Sequence, residues 1–268
     1  STATDAKIDL VFINDTTGSM SGTVNGIANS VQTFAESLAA SGVDARFSMY
    51  TYGDAFATKA ATSTFVTGKG DFAPPSMDGT ERPYVGLSDL TAFKAFLTEL
   101  KASSALGSGG GDGPENTIGA IDYANNHVAY RDGAGKVIIA IGDNPSHQQG
   151  SGATASWPVE FRPATGADLV SRMKGKTAIH VVGNDTGAAP YFNLKGLADG
   201  TGGVFIDLPP SGNVDLSALK LTDWFTNAFI GTCSAGPKGS YTITVNVRVV
   251  GVSGTAKTGT LVFDVVVS

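Results

Sequence analysis

Three stretches of the chain constrain its fold more than anything else: KIDLVFIND (7–15), KVIIAIGD (136–143) and TAIHVVGND (177–185). In each, apolar residues occupy successive positions and then give way abruptly to polar, turn-forming ones. Neighbouring side chains on a strand point to opposite faces, so such runs belong to strands buried on both sides. A sheet covered on both sides needs helices to cover it, and the intervening segments have helical spacing. Val24, Ile27, Ala28, Val31, Phe34, Ala35 and Leu38 recur at that spacing and stop near Gly42, as do Ile118, Ile121, Ala124 and Val128 after Pro114. Pro114 suits the first position of its helix, and Ser88 the cap of a helix over 88–100. Shorter helices are expected near 165–175 and 191–199, followed by a strand at 202–208 and a last amphipathic helix marked by Leu221, Trp224, Phe225, Ala228 and Phe229. The alternation predicts an α/β, Rossmann-like fold: a central, mostly parallel sheet with helices on both faces.

Two segments depart from this rhythm. DARFSMYTYGD (44–54) and KAATSTFVTG (59–68) are separated by a short turn, which predicts an antiparallel pair and hence one antiparallel edge strand. A Pro/Gly-rich loop is expected over 69–87. At the other end, SYTITVNVRVV and KTGTLVFDVVVS alternate with period two and read as a C-terminal β-hairpin. The expected division is therefore an α/β domain over 1–233 and the hairpin over 234–268, either an extension or part of a neighbouring β-domain.

The right-handed crossover rule sends Asp15 and Asp143 to the same rim, at the carboxyl ends of their strands, where such sheets bind ligands. Asp15, Thr17 and Ser19 lie two apart in a turn that Gly18 allows to bend tightly. These are the oxygen donors that hard divalent cations require. A simple helix cap and turn would explain those residues equally well taken by themselves. GGGDGPEN adds Asp112 and Glu115 at a helix start, where a single Glu could merely complement the helix dipole. Acidic loops converging on one rim repel one another, and a bound cation relieves that repulsion.

D-x-T-x-S after an apolar strand, GGGDGPE before a helix, and an Asp ending the next strand resemble the von Willebrand factor type A (vWA) domain. They match the three segments of its metal-ion-dependent adhesion site, and the resemblance covers about residues 7 to 233. DGPE is similar to the integrin β-subunit variant of this loop, in which the Glu reaches the central metal. The resemblance implies a Mg²⁺ (or Mn²⁺ or Ca²⁺) held directly or through water by Asp15, Thr17, Ser19, Glu115 and Asp143, with Thr117 a lesser candidate. It also implies a second cation, Ca²⁺ in type, at Asp54 and Asp112, although Gly110 stands where that variant has an Asn. The other flanking position lacks its acids, since Gly22 and Thr23 stand there. In such domains the last helix shifts on ligand binding, which would involve residues 214–230 here.

The expected function is a non-enzymatic adhesion or protein-binding module whose cation takes a carboxylate from a protein partner. The alternatives are a metal-dependent hydrolase using the same carboxylates, and a surface domain that the metal only stabilises. A hydrolase would need a general base outside the ligand set, and His147 is the one candidate. The net charge of −6 and the lack of any basic run argue against nucleic acid or an anionic membrane as partner. No apolar run approaches the ~20 residues of a membrane span. Low charge with abundant Gly, Ser and Thr fits a mature extracellular or cell-surface protein. The single Cys233 excludes an intrachain disulfide. His180, Cys233, Trp224 and Phe225 read as packed residues, and Trp157 as a rim residue that could touch a partner.

Overall fold

The computed structural model describes residues 7–54, 59–60, 83–102, 107, 110, 112–151, 154, 162–221, 239–250 and 256–267. The chain divides into two compact units, one spanning residues 5–220 and the other holding the C-terminal hairpin.

The larger unit is a doubly covered sheet. Its strands are β1 (Lys7–Asp15), β2 (Asp44–Tyr52), β3 (Lys59–Ala60), β4 (Pro83–Ser88), β5 (Gly135–Gly142), β6 (Ala178–Gly183) and β7 (Phe205–Asp207), in the spatial order β3-β4-β2-β1-β5-β6-β7. The run from β2 to β7 is parallel throughout, while β4 pairs antiparallel with β2. The helices are α1 (Val24–Ala40), α2 (Leu90–Lys101), α3 (Thr117–His127), α4 (Gly166–Met173) and α5 (Lys195–Thr201). The expected architecture is present, with three local corrections.

First, the antiparallel partner of β2 is Pro83–Ser88, not the 59–68 segment. Only Lys59–Ala60 of that segment is described, and it runs parallel beside β4 at the sheet edge. The Ser48 hydroxyl donates to Val85 O at 2.8 Å and that of Thr51 to Pro83 O at 2.6 Å, so side chains reinforce the ladder. Second, Ser88 ends β4, and Asp89 caps α2 instead, accepting from the Ala92 amide at 2.9 Å. Third, α3 starts at Thr117 with Asn116 as its cap, so Pro114 and Glu115 lie before the helix. Glu115 is therefore not a first-turn residue explained by the dipole.

Alternate residues of β1 feed two cores. Phe12 stacks on Phe93 of α2 with centroids 5.7 Å apart, and Phe93 stacks on Phe47 at 5.3 Å. Val11 and Ile13 join Ile118, Ile121, Leu169 and Leu197 on the face covered by α3, α4 and α5. His180 is the expected packed histidine: its Nδ1 accepts from the Val204 amide at 3.0 Å, and burial pushes the imidazole down to about 4.

At the amino ends of the strands, Arg131 clasps the starts of β1 and β2. Its Nε donates to the fully buried Asp9 Oδ1 at 2.7 Å, Nη1 to Asp44 Oδ1 at 2.8 Å, and Nη2 to the carbonyls of Ile8 and Asp44.

In the second unit, β8 (Gly239–Val250) and β9 (Ala256–Val267) pair antiparallel over their whole length, from Gly239↔Val267 to Val250↔Ala256. The last amphipathic helix, with Trp224, Phe225 and Cys233, lies outside the described residues, as does Trp157. Of the 214–230 segment, the structure describes a short 3-10 turn at Leu216–Leu219. Among the described residues no helix is long and apolar enough to cross a membrane.

Candidate metal centre

The site begins where β1 ends. The buried Asp15 accepts at Oδ1 from the Thr17 amide at 2.8 Å and from the Thr17 hydroxyl at 2.7 Å. The turn that follows, Gly18–Gly22, places Ser19 Oγ 3.3 Å from Thr17 Oγ1. Ser19 Oγ then donates to Asp143 Oδ1 at 3.0 Å, across 124 residues of chain, and Asn144 Nδ2 donates to both Ser19 Oγ and Asp143 Oδ1. Asp15, Thr17, Ser19 and Asp143 thus form one continuous line of oxygens. Its steps of 2.7, 3.3 and 3.0 Å are close to the ~2.9 Å edge of an octahedron of oxygens around a cation with bonds of about 2.05 Å. The donors are all oxygens, the kind that a hard divalent cation takes.

Glu115 approaches from a third segment. It is buried, its amide donates to Pro145 O at 3.1 Å, and its carbonyl accepts from the His147 amide at 2.8 Å, which stitches its loop to the one after β5. Its position relative to Thr17 is shown by Gly110, which lies between them. A Cβ built on Gly110 would sit 2.8 Å from Glu115 Oε1 and 3.3 Å from Thr17 Cβ, and the backbone there has φ +82°. A glycine stands at 110 because a side chain would displace Glu115. Gly110→Val is expected to lower stability by about 1–2 kcal/mol in thermal unfolding, through the left-handed backbone and the crowding together.

Next to the line of oxygens lies Tyr52, which ends β2 and is the register partner of Asp15 on β1. Its hydroxyl is 2.8 Å from Thr117 Oγ1, so the lesser candidate Thr117 is engaged below the rim. Burial, and next the charge of Asp15, push the Tyr52 phenol well above its usual range; Glu115 and Asp143 push the same way, and only the Thr117 hydrogen bond opposes them. One hydroxyl therefore feels the three acidic segments converge.

The other two predicted acids meet elsewhere. Asp54, just past β2, and Asp112 form a separate cluster with His147, their ligand atoms all lying within 4.8 Å of one another. His147 Nε2 is 3.1 Å from Asp112 Oδ1 and 3.9 Å from Asp54 Oδ1. Such a cluster could hold a metal ion. Asp54 and His147 are buried, while the Asp112 side chain is 46% exposed, which leaves one side open to solvent. Sequence reasoning gave His147 only a minor part. The available signal was its place four residues after Asp143, on a loop already assigned to the rim.

No protein-family model matches the chain, and no curated protein matches it. Similar solved structures include a conserved hypothetical protein BatB from Bacteroides thetaiotaomicron, at 14% identity and TM-score 0.43, covering 82% of this chain and 98% of that one. Proximal thread matrix protein 1 from the mussel byssus is similar at 14% identity and TM-score 0.47, over 83% of this chain and 46% of that one. An aerotolerance-related membrane protein from Bacteroides fragilis is similar at 16% identity and TM-score 0.44, over 82% and 99%. No residue role is carried over from any of them.

Proposed function

We propose that the chain is a metal-dependent protein-binding module of the vWA type, working at the cell surface or outside the cell. A divalent cation at the rim, Mg²⁺ or an ion like it, is held by Asp15, Thr17, Ser19, Glu115 and Asp143. When bound, it offers a coordination position to a carboxylate of a protein partner. The observation that carries this reading is the line of oxygens from Asp15 through Thr17 and Ser19 to Asp143, spaced like ligands of one small cation. The hydroxyls are neutral ligands, so the cation would keep enough charge to attract an outside acid. In the hydrolase reading the candidate base is His147, whose ring nitrogens lie 3.2 Å from Ser151 Oγ and 3.1 Å from Asp112 Oδ1.

The test is a thermal-shift titration with Mg²⁺, Mn²⁺ and Ca²⁺ on the wild type and on Asp15→Ala. Saturation at about 100 times Kd stabilises by about 2.7 kcal/mol, a rise of roughly 5–10 °C for a chain of this size. Asp15→Ala should abolish the Mg²⁺ response. A wild type indifferent to all three ions would overturn the proposal. With the cation bound, immobilised protein should retain acidic peptides and release them into EDTA; a metal response without such retention would leave the cation a purely structural part.

A further inference from the structure

Of the oxygens along the rim, that of Ser19 is the one its own segment holds least. Thr17 is buried, and its hydroxyl donates to Asp15 Oδ1 at 2.7 Å. Ser19 is exposed on the 3-10 turn that runs from Gly18 to Gly22, where a serine side chain turns readily among its three staggered rotamers. Two contacts from the loop after β5 choose one of them. Ser19 Oγ donates to Asp143 Oδ1 at 3.0 Å, and Asn144 Nδ2 donates to Ser19 Oγ at 3.1 Å. The second proton of the Asn144 amide goes to Asp143 Oδ1 at 3.0 Å, so one half-buried carboxamide braces both ends of the Ser19–Asp143 bond. Its orientation is forced, since the flipped amide would turn its carbonyl oxygen toward a carboxylate, which only accepts.

We propose that Asn144 is a positioning residue for the rim cation, acting through Ser19; the proposal rests on the cation reading given above. The hydroxyl protons show what it achieves. Thr17 and Ser19 have each given their one proton to a carboxylate, the stronger acceptor, so none remains for the 3.3 Å contact between the two hydroxyls. Asn144 fills one of the two lone pairs of Ser19 Oγ and leaves the other on the side of Thr17 Oγ1, where one cation would take both oxygens. Without Asn144, Ser19 Oγ keeps a single tether, and the hydroxyl can swing outward or donate to Thr17 instead. The backbone that carries Asn144 is itself fixed. Pro145 restricts Asn144 to extended conformations. Asn184 Nδ2 donates to Asp143 O at 3.0 Å, and the Glu115 amide to Pro145 O at 3.1 Å. Ser146 and Phe192 exchange amide-to-carbonyl bonds of 2.8 and 2.9 Å. Asn144 thus passes the rigidity of three other segments to the exposed hydroxyl of Ser19. Partners that orient a metal ligand from outside contribute about 10–100-fold in affinity.

The test is Asn144→Leu, which keeps the branched shape of asparagine without its donors. The metal-stripped full chain is titrated calorimetrically with whichever of Mg²⁺, Mn²⁺ and Ca²⁺ the wild type binds most tightly. Affinity should fall about 10–100-fold, while circular dichroism and the melting of the metal-free protein stay those of the wild type. The Hα–Hβ couplings of Ser19, measured by NMR on the metal-free chain, give a readout that needs no ion. They should report one rotamer in the wild type and an average over rotamers in Asn144→Leu. If Asn144→Leu fails to fold, Asn144→Ala and the wild-type couplings decide the matter. Equal affinity in variant and wild type would overturn this inference and leave the preceding proposal standing, as would a Ser19 side chain already averaged in the wild type. An affinity loss matched by an equal loss of metal-free stability would also overturn it, because Asn144 would then only prop its loop. A wild type indifferent to all three ions would overturn the preceding proposal and this one with it.

Discussion

Arg131→Met is expected to destabilise the chain by about 3–5 kcal/mol in equilibrium chemical denaturation, the range for breaking one side of a buried ion pair. Asp9 is fully buried, and the guanidinium is the cation that neutralises it. Methionine roughly preserves the packed stem of Arg131 while removing every charged donor, so the loss reports electrostatics rather than volume. The Arg131 amide still donates to Asp9 Oδ2 at 2.7 Å, which places the effect toward the lower end of the range. In Asp9→Asn/Arg131→Met the buried charge is gone, and part of the stability should return. The same substitution releases Asp44 and the carbonyls at the starts of β1 and β2. Fraying should therefore appear at the amino edge of the sheet, far from the candidate metal centre.

Phe93→Ala is expected to cost a similar amount, about 3–5 kcal/mol, or roughly 10 °C in melting temperature. Phe93 is fully buried, and its ring stacks on both Phe12 of β1 and Phe47 of β2. Its removal leaves a cavity between two adjacent central strands and also ends two ring stacks. Because Phe12 and Asp15 share one strand, a relaxed β1 should also weaken the cation binding proposed for the rim. A thermal-shift titration with Mg²⁺ on this variant measures both effects together.

What could be read in the residues beforehand follows from how local each signal is. The runs of β1, β5 and β6 announce burial on both faces without reference to any partner, so the parallel sheet and its covering helices were legible. The partner of β2 was not. PYVGLS contains a proline and a glycine and is six residues long, and its strand character comes from pairing along β2 rather than from its own composition. The choice of Asp89 over Ser88 as helix cap turned on a single residue, within the uncertainty of any helix boundary. At the site, Asp15, Thr17, Ser19 and Asp143 were legible because each ends a strand or follows one directly, and topology then brings them together. The pairing of Asp54 and Asp112 was legible as a family resemblance. His147 and Tyr52 were harder: their roles rest on side-chain directions that no spacing in the chain encodes. The clasp of Arg131 on Asp9 is of the same kind, since an arginine in a polar turn gives no sign of where its guanidinium reaches.

The hydrogen bond between Ser19 and Asp143 spans 124 residues. The contact needs β1 and β5 side by side, as they are in the sheet, while β2, α2 and α3 lie in the chain between them. Contacts closing so long a stretch of chain are slow to form, so completion of the rim is expected late in folding. A ligand captured there has no purchase on partly folded chains. A ligand that binds only the completed rim is expected to act chiefly by slowing unfolding, which refolding and unfolding rates with and without it would check. The rim would then be a latch that fastens only a finished molecule, and a binder gripping it would protect the native chain against heat and proteolysis for as long as it stays bound.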